Sequence, residues 1–263
     1  MLINPINRFL ATKYKNSTPY QQWKNKVGWP ATNILADLIL NNSLHRQSLR
    51  ILEIACHQGG LLDSIYKPPQ LKNKIHTYLG IDISEDALKK ARKKYPQHTF
   101  IHLDALNEDS YKGNSISSNN TLIVCSGFFD YLSPGEIKQL LNNLKTKLSK
   151  KDNARMYVNY ATDNPIYRIP LSNAFSITRS FYAKYDQYYG NKLIEEDGIK
   201  CIINTEGYPN KFYRYDPNEF SKILDVVDLE VVLNNSQSNL PIVYDSDFPA
   251  SVRAYDHVCL RFK

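Results

Sequence analysis

The spacing of apolar residues changes several times along the chain, and each change marks an element. Over residues 31–44, Ile34, Leu35, Leu38 and Ile39 recur at helical spacing, which predicts a helix with one buried face. The apolar run 50–55 reads as a short buried strand, followed by a helix through Leu61, Leu62 and Ile65 that ends at Pro68 and Pro69. A strand over 76–83 leads to Ser84, which caps a helix running to Lys94. Short strands at 99–103 and 121–126 flank a polar loop at 114–120. Pro134 opens a helix whose apolar face carries Ile137, Leu140, Leu141, Leu144 and Leu148, and a strand at 155–160 follows. Strands alternating with helices at this spacing predict an α/β fold: a mostly parallel sheet of seven strands with helices on both faces.

After Ala161 the alternation stops. Residues 162–215 are crowded with Tyr160, Tyr167, Phe175, Phe181, Tyr182, Tyr185, Tyr188, Tyr189, Phe212, Tyr213 and Tyr215 at its edges and within it. A helix over 173–188 and a hairpin over 199–215 are expected there, forming an aromatic insertion after the fifth strand. The regular pattern returns with a helix opened by Pro217 through Phe220, Ile223 and Leu224. Residues 229–233 and 257–262 then read as a closing antiparallel pair. The expected organisation is an N-terminal arm over 1–30, with Tyr14, Tyr20, Trp23 and Trp29, and one domain over 31–263 that carries the insertion.

Composition narrows the class. Hydrophobic residues make up 42% and charged residues 22% of the 263, enough apolar material for a packed core. No apolar run reaches membrane-spanning length, and the first residues lack the apolar core and cleavage site of a secretory signal, so a cytoplasmic location is expected. Cys56, Cys125, Cys201 and Cys259 have no short paired spacing, which points to buried thiols and to no metal site. The net charge of +7 permits an anionic partner. Its densest cluster, Lys89, Lys90, Arg92, Lys93 and Lys94, falls at helical periodicity and reads as a solvated helix face rather than a nucleic-acid patch.

The chemistry concentrates where strands end. Arg50-Ile-Leu-Glu-Ile-Ala-Cys-His-Gln-Gly-Gly60 is a strand running through small residues into a helix, a turn where backbone approaches a ligand closely. The next strand ends on Asp82, at the distance where a carboxylate accepts hydrogen bonds from both hydroxyls of a ribose. The third ends on Asp104-Ala105, placed to receive an exocyclic amine.

Together, over residues 50–161, these segments resemble the class I, Rossmann-like S-adenosylmethionine-dependent methyltransferases. The resemblance implies that Glu53, Ala55, Cys56, His57 and Gly59 form the cofactor loop, that Asp82 holds the ribose with Ile83 also at the cofactor, and that Asp104 and Ala105 address the adenine. In Cys125-Ser-Gly-Phe-Phe-Asp-Tyr131, it implies that Ser126, Gly127 and Phe128 flank the methionine moiety. The family's Glu-x-Gly-x-Gly-x-Gly appears here as Glu53-Ile-Ala-Cys-His-Gln-Gly59, with Ala55 and His57 where glycines are usual. The Gly-x-Gly-x-x-Gly of nicotinamide-binding dehydrogenases is absent.

Methyl transfer from a sulfonium is an in-line displacement that needs alignment and exclusion of water more than catalytic groups. The candidates for a base beside the methyl are Asp130, Tyr131, Asn159, Tyr160 and His57. The expected substrate is a small organic molecule accepting methyl on oxygen, nitrogen or a carboxylate. An RNA or protein methyltransferase is the second reading, and a non-methylating binder or scaffold, suggested by the altered loop, is the third.

Overall fold

The computed structural model describes residues 35–36, 38–39, 48–66, 72–108, 121–147, 154–161, 191–204, 213–234 and 255–262. The main sheet has seven strands in the order β3-β2-β1-β4-β5-β10-β9. These are β1 (Leu49–Ile54), β2 (Ile75–Asp82), β3 (Thr99–His102), β4 (Thr121–Cys125), β5 (Arg155–Ala161), β9 (Leu229–Asn234) and β10 (Tyr255–Phe262). The first five are parallel; β10 runs antiparallel between β5 and β9. Strand order reverses between β1 and β4, which opens a crevice at their carboxyl ends.

Alternation along each strand sends side chains to two separate cores. From β1, Leu49 and Ile51 join Leu122, Val124, Tyr157 and Cys259 against helical residues Leu35 and Ile39, helix α1 (Gly60–Ile65) and helix α2 (Glu85–Lys94). On the opposite face Leu52, Ile54, Ile123, Cys125, Met156 and Val158 pack against helix α3 (Pro134–Lys147) and helix α4 (Pro217–Val226). Strand β4 is buried throughout because it is covered on both faces, which is why Thr-Leu-Ile-Val-Cys reads as a continuous apolar run. All four cysteines are buried thiols.

Local chemistry sets the helix boundaries. Ser84 Oγ accepts the N–H of Ala87 at the start of α2. At α3, Ser133 Oγ accepts from Glu136 N while Glu136 Oε2 accepts from Ser133 N, a reciprocal capping box. The basic run of α2 is engaged locally: Arg92 donates to Glu85 and to the carbonyl of Phe100, and Lys94 pairs with Asp63.

Beyond β5 lies a second sheet in the order β6-β7-β8, formed by β6 (Asn191–Glu196), β7 (Ile199–Asn204) and β8 (Tyr213–Tyr215). The expected hairpin over 199–215 is present as the antiparallel β7–β8 pair. A second hairpin joins β6 to β7 through Asp197 and Gly198, at φ 53° and 74°, the left-handed pair that an Asp-Gly turn supplies. Lys138 of α3 pairs with Asp197 at 3.5 Å, and Tyr215 donates its hydroxyl to the carbonyl of Leu132 at 2.6 Å. Tyr160 stacks on Phe220 with centroids 4.0 Å apart and meets Tyr215 edge-on at 6.4 Å. The small sheet is thus fixed to the segment that follows β4. The arm over 1–30, the helix expected at 173–188, and Tyr167, Phe175, Phe181, Tyr182, Tyr185, Tyr188, Tyr189 and Phe212 lie outside the described residues. No described helix is long and apolar enough to cross a membrane.

Gly80 in β2 is closely approached by side chains of the loop and of β3. A Cβ there would lie 2.7 Å from Cys56 Sγ and 2.8 Å from Phe100 Cδ1. Gly80→Ala is therefore expected to destabilise the fold by about 1–3 kcal/mol through overpacking, read as a lower urea midpoint; an unchanged midpoint would show that the contact yields freely.

Candidate functional site

The turn between β1 and α1 is built from three left-handed residues in alternation: Ala55 at φ 57°, His57 at φ 48° and Gly59 at φ 78°. The chain thus has the backbone of a glycine-rich loop with glycine at one position of three. A side chain in the left-handed region costs about 1–2 kcal/mol, so Ala55 and His57 persist because their surroundings fix them. Those surroundings are specific. Cys56 N donates to the carbonyl of Ile81 at 3.0 Å, and His57 N donates to Asp82 Oδ2 at 2.8 Å. Gly59 sits on the ring of Tyr95, where a Cβ would come within 3.0 Å of Cε2. Tyr95 in turn donates to Asp63 of α1.

Asp82 closes β2 and has both carboxylate oxygens engaged by backbone, with Ser84 N on Oδ1 at 2.7 Å and His57 N on Oδ2. Burial pushes its carboxyl up from the ordinary value, and the Ser84 and His57 amides draw it back in part. Each oxygen retains a lone pair beyond the one its amide uses. The side chain is therefore the clamp of the loop, with acceptor capacity left over at the carboxyl edge of β2.

The other expected site residues fall around this clamp. Glu53 is buried on β1 and accepts the hydroxyl of Tyr78 from β2, so its carboxylate braces the strand pair beneath the loop. The carbonyl of Ile83 contacts His102 Nε2 at 2.8 Å. Asp104 Oδ1 accepts from Leu106 N at 3.0 Å, which turns the chain at the end of β3 and buries Ala105. After β4, Gly127 takes φ 61° between half-buried Ser126 and Phe128, and its N–H donates to Asn159 Oδ1 at 2.6 Å.

A 3₁₀ turn, Phe129–Tyr131, follows. The structure brings β1, β2, β3 and β4 ends to one edge, as the spacing implied. The residues considered for proton transfer divide: His57 and Tyr131 are half-buried, whereas Asp130, Asn159 and Tyr160 lie in the core at 1%, 0% and 2% exposure. Two supports were not anticipated. Gln139 Nε2 and Asn143 Nδ2 of α3 both donate to the carbonyl of Leu106, at 2.8 and 3.0 Å, and hold the loop that carries Asp104. Asn143, a polar residue beside the apolar stripe of α3, was the visible signal.

Comparison with known proteins agrees with this geometry. Residues 52–152 match the family model described as a methyltransferase domain. No curated protein matches the chain. Among solved structures, an S-adenosylmethionine-dependent methyltransferase from Clostridium acetobutylicum is similar at 14% identity, covering 98% of this chain and 99% of that one with a TM-score of 0.53.

Magnesium protoporphyrin IX methyltransferase from Synechocystis, with bound SAH, is 12% identical over 97% of this chain and 100% of its own, at a TM-score of 0.56. The 1,6-didemethyltoxoflavin-N1-methyltransferase of Burkholderia thailandensis is 11% identical over 100% of this chain and 92% of its own, at 0.58. At such identities the likeness is one of fold. Over residues 52–152 the chain thus carries a segment that matches a methyltransferase domain, and its fold is similar to that of the class I, Rossmann-like S-adenosylmethionine-dependent methyltransferases.

The strain in the loop is testable. Ala55→Gly removes a Cβ from a left-handed position and returns conformational freedom to the unfolded chain; the first effect is the larger. The variant is expected to gain about 0.5–1 kcal/mol, measured by denaturant unfolding. A loss of similar size would mean that Ala55 is unstrained.

Proposed function

We propose that this protein transfers the methyl group of S-adenosylmethionine to an oxygen, nitrogen or carboxylate of a small organic molecule. The observation that carries the cofactor's place is the clamp: a left-handed loop tied through His57 N to the same carboxylate that faces the crevice. On this reading the loop at Ala55, Cys56, His57 and Gly59 curves round the thioether, and Asp82 accepts the ribose hydroxyls. Ile83, Asp104 and Ala105 border the adenine, while Ser126, Gly127 and Phe128 line the methionyl side. Glu53 supports the loop from below.

When bound, the cofactor supplies an electrophilic methyl on a sulfonium; the protein's work is to align the acceptor and keep water out. The small sheet β6–β8, fixed to the turn after β4 by Tyr215 and Lys138, supports one wall of the acceptor pocket. Asp130 and Tyr160, buried in that junction, act by holding the wall. His57 and Tyr131 are the groups available to take a proton from a hydroxyl or ammonium acceptor, and a carboxylate acceptor needs neither. The small-molecule reading is supported by two structural neighbours whose names carry small substrates, magnesium protoporphyrin IX and 1,6-didemethyltoxoflavin. It is also supported by the engagement of Arg92 and Lys94 within the fold, which leaves less of that basic run to meet phosphates.

Three measurements test the proposal. Release of S-adenosylhomocysteine should follow addition of a small-molecule extract fraction and be absent with purified RNA or protein; turnover confined to the macromolecular fraction contradicts the substrate class. Asp82→Ala should weaken binding of S-adenosylhomocysteine at least about 100-fold, since two charge-assisted hydrogen bonds are lost. Because burial raises the Asp82 carboxyl, it takes its proton at a higher pH than an ordinary aspartate. Affinity should therefore fall on acidification before the usual carboxylate range is reached, and titrating affinity against pH in the wild type and in Asp82→Asn, where the dependence should vanish, checks the sign.

A further inference from the structure

Ser126 and Asn159 stand level on neighbouring strands. Cys125 of β4 pairs with Val158 of β5, so the next residue on each chain comes to the same height at the carboxyl edge of the sheet. Asn159 is 0% exposed, and its Oδ1 accepts the N–H of Gly127. That bond orients the amide. A backbone N–H requires an oxygen, so the NH2 end must turn the other way and can only donate. Among the described residues, neither Asn159 Nδ2 nor Ser126 Oγ, both buried, has a hydrogen-bond partner. Buried polar atoms left unpaired are rare because each forfeits a hydrogen bond that water would have made. Two of them lie at one strand junction, beside a left-handed glycine.

Resting on the cofactor reading given above, we propose that Asn159 Nδ2 and Ser126 Oγ receive the α-carboxylate of the methionyl tail of S-adenosylmethionine. A carboxylate accepts without donating, which complements an amide NH2 and a rotatable hydroxyl. It is the cofactor's only anionic group. Strands β2 and β4 are two places apart in the sheet, about 10 Å, which an extended tail spans from a sugar at Asp82. Asn159 then has two tasks in one amide: its oxygen fixes the Gly127 turn and its nitrogen reads the ligand.

Calorimetry with two ligands tests this. S-adenosylhomocysteine carries the carboxylate; methylthioadenosine ends at the methylated sulfur and lacks it. Asn159→Asp keeps the side-chain shape and the acceptor for Gly127 N, but turns the donor into a charged acceptor. It should weaken S-adenosylhomocysteine about 30-fold or more and leave methylthioadenosine within about twofold. Ser126→Ala should weaken the first ligand by about 5- to 10-fold and spare the second, which serves if the aspartate variant fails to fold. Unchanged S-adenosylhomocysteine affinity in a folded variant, or equal loss for both ligands, overturns the assignment. Wild-type protein that binds neither ligand overturns the cofactor reading and this assignment with it.

Discussion

The site depends on one side chain accepting two backbone hydrogen bonds. Asp82 receives Ser84 N on one oxygen and His57 N on the other, and so ties the end of β2 to a loop that its own residues would not favour. Left-handed geometry at Ala55 and His57 is unfavourable in isolation; the amide bond to a buried carboxylate, the Cys56 bond to Ile81 and the Tyr95 ring under Gly59 together over-determine it. A turn that most glycine-rich loops reach by flexibility is here reached by attachment. The consequence is a loop whose shape is set by its own contacts, and on the proposed cofactor reading this lowers the ordering cost of binding.

The rest of the architecture serves that clamp. Gly80 lets Cys56 and Phe100 close over β2, and Tyr78 and Glu53 brace β1 against it from the same core. On the other side of the switch point, the turn after β4 is supported from three directions: Asn159 beneath Gly127, Tyr215 on Leu132, and the capping box that starts α3. The two halves of the crevice are therefore rigid for different reasons. One rests on a carboxylate and the other on an amide, a phenol and a helix N-terminus.

Much of this was legible along the chain. The sheet and its closing antiparallel pair follow from apolar runs such as 121–125, buried on both faces, and from the Pro134 and Pro217 helix starts. The clamp's acid, Asp82, was visible as a match to a known pattern, and Ala55 and His57 as departures from it. The tight β6–β7 hairpin was not foreseen, although Asp197-Gly198 between alternating segments is a strong turn signal; the crowd of tyrosines nearby drew attention to packing instead. Tyr160 looked like a residue at the reacting centre because it ends β5. Its ring points into the core face shared with Phe220, a fact of strand parity and α4 packing that spacing alone does not carry. Asn143 and Gln139 converge on Leu106 from a helix distant in sequence, and such convergence is tertiary by nature.

The central claim is tested most directly by a crystal structure of the protein grown with S-adenosylhomocysteine. The account requires density for the adenosyl group between the 55–59 loop and β2, with both ribose hydroxyls within hydrogen-bond distance of Asp82 and the loop backbone unchanged. Ligand density elsewhere, or a crevice filled by the His57 ring, would contradict it.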